Sequence, residues 1–142
     1  MDYKIEIDLE ELQDFFKEMN KIQKACPESI PTERLILQRR KTPDNISTKY
    51  AMLLKETKQE IGNVILVYDG EIWYKVYEPF RKRGYATEAV ARVMEVVKTD
   101  IDFFLSIESK NTASRKVAKK LDFVCKRKIR DKDGITMIFE KK

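Results

Sequence analysis

Arg81-Lys82-Arg83-Gly84-Tyr85-Ala86-Thr87-Glu88 is the stretch on which the reading of this chain turns. An alternating apolar run precedes it (Ile72, Tyr74, Val76) and a helical one follows (Ala89, Val90, Val93, Met94, Val97). A strand therefore feeds a basic, glycine-containing turn that opens a helix. The first amides of a helix have no partner inside it and lie at the positive end of its dipole. Such a turn binds phosphate or pyrophosphate through backbone N–H groups. Gly84 lets the chain bend and a ligand approach the backbone, while Arg81, Lys82 and Arg83 add positive charge. A lone glycine in a basic loop also fits a plain turn, so the rest of the chain has to decide.

Upstream of the turn, residues 71–77, 59–68 and 50–56 read as a strand meander. Asp69-Gly70 supplies a two-residue hairpin turn between the strands at 59–68 and 71–77. Residues 41–47 hold Pro43, Asp44 and Asn45 and read as a loop, with a first strand at 34–40 before it. Asp8 and Glu11 form a D-x-x-E capping box. Leu9, Leu12, Phe15, Phe16, Met19 and Ile22 then recur at helical spacing, predicting a helix over 9–25 that Pro27 and Pro31 stop. Its apolar stripe is expected to pack on the sheet. Downstream, a helix spans 84–98, and the continuous apolar run 101–107 reads as a strand buried on both faces. Asn111 can cap a short helix carrying Ala113, Val117, Ala118 and Leu121. Strands at 123–128 and 135–140 flank an Asp133-Gly134 turn. The order is helix, four strands, helix, strand, helix, two strands, which is α+β with a mixed, mostly antiparallel central sheet of about seven strands.

The chain has 142 residues, 42% apolar and 37% charged, which fits one domain: an N-terminal helix and connection at 1–31 and a core at 32–142. No apolar run approaches the roughly 18–20 residues of a membrane span. The alternating N-terminus lacks a signal-peptide core, so a cytoplasmic location is expected. Cys26 and Cys125 read as free thiols. With no histidine in the sequence, Ser-His and Cys-His nucleophilic pairs are excluded, and no metal site is expected. Acid–base chemistry is left to carboxylates, Tyr, Lys, Ser or water. The net charge of +5 suits an anionic ligand without requiring nucleic acid. The basic runs at 38–41 and 125–130 lack interleaved aromatics and read as solvated faces.

Set in that order of elements, the opening stretch resembles the [Arg/Gln]-x-x-Gly-x-[Gly/Ala] acyl-CoA pyrophosphate motif of the GNAT N-acetyltransferase superfamily, on Arg81, Gly84 and Ala86. Asn111-x-x-Ser114 and Lys120-Leu121-Asp122-Phe123 resemble the family's second motif. Thr32-Glu33-Arg34-Leu35 and Gly84-Tyr85-Ala86-Thr87-Glu88-Ala89 look most like the ribosomal-protein N-terminal acetyltransferase (RimJ/RimL-like) branch. The likeness covers residues 32–140.

It implies acetyl-CoA as donor, an amine as acceptor and direct attack in a ternary complex. Amides of Arg83, Gly84, Tyr85, Ala86 and Thr87 would hold the pyrophosphate, with Arg81 and Lys82 as outer charges. Backbone groups of Val76 and Tyr77 would pair with the pantetheine arm, and one of their amides would face the thioester oxygen. Asn111 would touch the same arm or simply cap its helix. Glu71, thirteen residues before Gly84, is the candidate base, with a solvated strand-end residue as the alternative. Ser114 would meet the cofactor at the leaving sulfur as proton donor, or merely cap its helix. Tyr77 and Tyr85 are fallback donors.

Three departures stand out. The tyrosine common seven residues after the asparagine is Ala118. The glycine before Phe123 is Asp122, which a left-handed helix end tolerates. The two helices usual between the first two strands have no room in residues 41–48. The acceptor site is therefore open, completed by a second copy in a homodimer, or lost; in the last case the chain would be a CoA-binding or regulatory module with little or no catalysis.

Overall fold

Asp8 starts the first helix by accepting the Glu10 amide proton at 3.0 Å, and α1 (Leu9–Ala25) runs to the Cys26-Pro27 stop. The computed structural model describes residues 8–44 and 46–141. The N-terminal residues read above, Asn45 and the Met19 side chain lie outside what it describes. Beyond α1 come β1 (Ser29–Pro31), β2 (Leu35–Arg40), β3 (Ser47–Leu54), β4 (Glu60–Val67) and β5 (Ile72–Val76). A 3-10 turn (Glu78–Phe80) leads to α2 (Tyr85–Val96), β6 (Phe104–Glu108), α3 (Thr112–Lys120), β7 (Phe123–Asp131) and β8 (Gly134–Lys141).

Eight strands are described where seven were expected. The addition is β1, three residues ending in Pro31 and paired with β2 through Ile30↔Leu37. It is an edge strand, where proline is tolerated because no ladder bond is lost on the open side. The strands form an antiparallel five-stranded sheet in the order β1-β2-β3-β4-β5 and a three-stranded sheet β6-β8-β7. They meet at one parallel bridge, Glu71↔Phe104. The expected strand at 101–107 begins only at Phe104, because the segment before it is the docking surface for the β4–β5 turn. Asp122 takes the left-handed conformation at the end of α3 (φ 61°), as its place in the motif requires.

Strand register divides the larger sheet sharply. Leu37, Met52, Gly62 and Val76 share one line across β2 to β5, and Thr48, Leu66 and Ile72 another. This face is buried, and both helices cover it. Ile22 and Cys26 of the α1 end and Ala89, Val90, Val93 and Val97 of the α2 segment join its core. Each fully buried Leu, Ile or Val there contributes about 1.5–3 kcal/mol. The opposite face carries Gln38, Ala51, Asn63 and Lys75 in one line and Arg40, Lys49, Ile65 and Trp73 in the next. Among the described residues no helix packs on it. Among the described residues of the β2–β3 connection there is no helix, and the Asp44 carboxylate accepts from the Ile46 and Ser47 amides at 3.1 and 3.0 Å.

The stripe of α1 packs less than expected. Ile22 is buried, but Leu9, Phe15 and Phe16 are 74%, 48% and 49% exposed. Only the last turns of this helix lie over β3; farther out, Phe15 meets Tyr68 edge-on and Phe16 at a tilt instead of a core.

Candidate active site

Gly84 is the N-cap of α2, with φ +82°, and has no side chain to offer the helix. The first bond into the helix runs from the Glu88 amide to the Gly84 carbonyl at 3.0 Å. Among the described residues, the amides of Tyr85, Ala86 and Thr87 have no acceptor. Lys82 is also left-handed (φ 63°), so the turn curls and presents these donors together. Arg81, Lys82 and Arg83 are all exposed around it. The turn is thus an uncapped, positively ringed helix start, suited to a multiply charged anion.

A network that sequence reasoning missed fixes the turn in place. The Thr32 hydroxyl donates to Glu88 Oε2 at 2.6 Å, the Arg34 amide to the same oxygen at 2.9 Å, and Arg34 Nε to Oε1 at 2.7 Å. The Arg34 guanidinium also lies over the Tyr85 ring, 4.2 Å from its centroid. The Thr32-Glu33-Arg34-Leu35 and Thr87-Glu88-Ala89 segments, noticed separately in the sequence, therefore hold each other. Burial disfavours a charged Glu88, but the bonds from Thr32 and Arg34 outweigh it and hold the carboxyl below its usual range. A depressed native pKa adds stability that is full above the unfolded value of about 4.3 and lost as pH falls through the native one. Glu88→Gln is expected to cost about 1–3 kcal/mol at pH 7 and to flatten the stability–pH curve below about pH 4. Denaturant unfolding across pH checks this; an unchanged acid limb would count against the network.

Beyond the Glu71↔Phe104 bridge, β5 and β6 part. The bonds Val67 N–H to Glu71 O and Tyr77 N–H to Ile61 O, both of 2.8–2.9 Å, direct the odd-numbered residues of β5 toward β4. Strand alternation then turns the backbone groups of Tyr74 and Val76 toward the gap. Val76 therefore sits as expected, but the Tyr77 amide does not face the gap. The Val76 carbonyl is already taken by Arg81 Nε at 2.8 Å, which ties the basic turn to the strand. The Tyr77 hydroxyl donates to Glu60 Oε2 at 3.1 Å on the uncovered face, and Tyr85 lies under Arg34. Neither fallback donor lines the gap.

Glu71 lies where the two sheets join, its carboxylate accepting the Trp73 indole N–H at 2.5 Å. Trp73 belongs to the uncovered face. Asn111 caps α3 through its side-chain oxygen, which accepts the Ser114 amide at 3.0 Å. Ser114 approaches β5 from the covered side, beside the Tyr74 hydroxyl. That hydroxyl is buried and makes no well-aligned hydrogen bond. Burial raises its pKa, and the neighbouring Ser114 offsets only part of the rise. Tyr74 was read only as a strand residue; its even position in the β5 alternation was the signal that it points inward. Glu71 and the Ser114–Tyr74 pair thus flank β5 from opposite faces. An open cleft of about 510 Å³ lies elsewhere, lined by Pro31, Thr32, Glu88 and Arg92 along the outer side of α2.

The family model described as "Acetyltransferase (GNAT) domain" matches residues 3–124, and the chain belongs to this family of N-acetyltransferases, which use acetyl-CoA. The match begins upstream of the likeness read at 32–140 and takes in α1. No curated protein matches the sequence. Among solved structures, the chain is similar to RimL, a ribosomal L7/L12 alpha-N-protein acetyltransferase in complex with coenzyme A, at 13% identity and TM-score 0.69, covering 79% of this chain and 96% of that one. It is similar to a GNAT-family acetyltransferase from Bacillus anthracis at 12% identity and TM-score 0.65, covering 78% and 96%. A spermidine N-acetyltransferase chimera from Vibrio cholerae and hSSAT follows at 14% identity and TM-score 0.61, covering 69% and 68%. At these identities the likeness is one of fold.

Proposed function

We propose that the chain, acting as one acyl-CoA-binding unit, acetylates a primary amine in a ternary complex, in the manner of the RimL-like branch. The observation that carries the reading is the placement of Glu71 and the Ser114–Tyr74 pair on opposite sides of β5, at the gap beside an uncapped helix start. The turn fits a pyrophosphate: its amides are open, Gly84 leaves the backbone approachable and three cations surround it. The amides of Gly84, Tyr85, Ala86 and Thr87 would hold the diphosphate, with Arg81, Lys82 and Arg83 around it, and the Val76 and Tyr74 backbone would hold the arm. The side-chain nitrogen of Asn111 is available to the same arm. When bound, acetyl-CoA supplies an activated acetyl thioester.

Around it the chain's own groups divide the proton work. An amine of pKa about 8–10 is mostly protonated at neutral pH, and Glu71 would take its proton directly or through water. A gap-facing β5 amide would stabilise charge on the thioester oxygen. Ser114, with Tyr74 behind it, would return a proton on the leaving-group side, where Ala118 is fully buried and brings no hydroxyl. Two unpaired cysteines favour a reducing compartment, and the cytoplasm is the proposed location.

A second reading, a CoA-binding module with little catalysis, is favoured by Ala118 and by the lack of a helix among the described residues between β2 and β3. Turnover of acetyl-CoA against a panel of amines and peptides separates the two. Glu71→Gln and Tyr74→Phe are each expected to lower kcat by about 10²-fold without loss of acetyl-CoA binding. Unchanged rates and pH profiles in both variants would remove these residues from the mechanism, and acetyl-CoA binding without turnover on any amine or peptide of the panel would favour the second reading.

A further inference from the structure

We infer that a free α-amino acid with an apolar side chain binds a cavity at the C-terminal end of α2 and, through Ile101 and Asp102, holds Gly70 and Glu71 in place. The binding site stands apart from the acetyl-transfer reading; its effect on rate rests on that reading.

The cavity measures about 450 Å³, within the range of small-molecule pockets. Met94, Val97, Ile101 and Phe103 give it an apolar floor that is continuous with the core. Lys98, Asp102, Glu140 and Lys141 bring charge to its mouth. Lys141 is already engaged, since its Nζ donates to the Leu121 carbonyl at 2.8 Å and lies over the Phe123 ring. Among the described residues Lys98, Asp102 and Glu140 have no ion-pair partner. One cation and two carboxylates therefore border an apolar floor. α2 also ends here, so the negative end of its dipole adds to the carboxylates. A plain amine would leave Lys98 unmatched, and a fatty acid would face Asp102 and Glu140. An apolar amino acid answers both signs. Its carboxylate meets Lys98, its ammonium meets Asp102 and Glu140, and its side chain lies on the floor.

The twelve residues of α2 put about 18 Å of helix between this cavity and the Gly84 turn, so it is not part of the donor site. Its wall connects it to Glu71 instead. Ile101 and Asp102 line the cavity, and they also press on Gly70, where a Cβ would lie 2.2 Å from the Asp102 carbonyl oxygen and 3.1 Å from Ile101 Cγ2. The Gly70 carbonyl accepts the Phe104 amide at 3.0 Å, next to the Glu71↔Phe104 bridge. Glu71 in turn holds the Trp73 indole N–H. A filled cavity leaves the 101–102 segment no room to draw back from Gly70. The ligand thus favours the state in which the two sheets are joined and the proposed base is fixed, which raises the rate.

Four probes are titrated into the full-length protein: L-phenylalanine, N-acetyl-L-phenylalanine, 2-phenylethylamine and glycine. The last three lack in turn the ammonium, the carboxylate and the apolar side chain. Calorimetry should show L-phenylalanine binding at least about tenfold tighter than each of them. Trp73 is the one tryptophan of the sequence, and its emission should change with the same affinity. In turnover with acetyl-CoA and an accepted amine, saturating L-phenylalanine should raise kcat by about threefold or more. Lys98→Glu should weaken L-phenylalanine by about tenfold or more while leaving basal turnover unchanged.

No binding up to about 10 mM, equal binding of 2-phenylethylamine, or an unchanged affinity in Lys98→Glu overturns the site. A silent Trp73, or a kcat that stays level or falls with L-phenylalanine bound, overturns the link to Glu71. Acetylation of L-phenylalanine in competition with the amine overturns the proposal by making the amino acid a substrate. Absence of turnover with every amine would instead remove the acetyl-transfer reading, and calorimetry with Trp73 emission would still decide the site.

Discussion

Gly84→Val is expected to abolish measurable acetyl-CoA binding, a weakening of at least 100-fold, while the protein still folds. A Cβ at this position would meet nothing closer than Arg34 Nη2 at 3.5 Å, so the folded chain has room for it. The left-handed backbone (φ +82°) adds a cost of about 1–2 kcal/mol, more for a β-branched residue. At this chain length that corresponds to a fall in Tm of about 3–8 °C, not to unfolding. Binding suffers far more, because the added methyl groups sit where a diphosphate must close on the Tyr85, Ala86 and Thr87 amides. Gly84→Ala should lie between the two. Calorimetric titration with acetyl-CoA, read beside a thermal melt, is the measurement, and near-native affinity in a folded Gly84→Val protein would rule out the turn as the pyrophosphate site.

Gly70→Ala should be the most destabilising single methyl group that can be added to this chain at a turn. The backbone there has φ +102°, and a Cβ would lie 2.2 Å from the Asp102 carbonyl oxygen and 3.1 Å from Ile101 Cγ2. A backbone oxygen cannot swing aside as a side chain can. The Gly70 carbonyl also accepts the Phe104 amide at 3.0 Å, so any retreat of the turn breaks the join between the sheets. Strain and clash together should cost about 3 kcal/mol or more, lowering Tm by about 10 °C. Denaturant unfolding of the two proteins decides it; a loss below about 1 kcal/mol would mean that the 101–102 segment yields freely.

Much of this was legible one residue at a time. Capping by Asp8 and Asn111, the Asp69-Gly70 turn and the Gly84 helix start are local events, written in a few adjacent residues. What escaped was of another kind. The Thr32–Arg34–Glu88 network joins residues more than fifty positions apart, and no periodicity announces such a pairing. The Tyr77 amide was assigned to the gap because register has a parity that the sequence does not print: one step along β5 turns a backbone N–H from the gap to β4. The same parity sends Tyr74 inward and Trp73 outward. The α1 stripe was apolar in the right rhythm, yet rhythm does not say how far a helix overhangs its sheet, and Phe15 and Phe16 ended beyond the edge. β1 was hidden by its shortness and by Pro31 at its end.

The Glu71↔Phe104 bridge has one more implication. Two stiff sheets hinged at a single ladder rung form a wedge whose angle is not set by ladder hydrogen bonds along its length. A molecule seated between the arms of such a wedge, bonded to the Tyr74 and Val76 backbone on one arm and reaching α3 on the other, becomes a strut. Donor binding would then brace the two halves of the protein against each other, making the cofactor part of what gives the acceptor face its final shape.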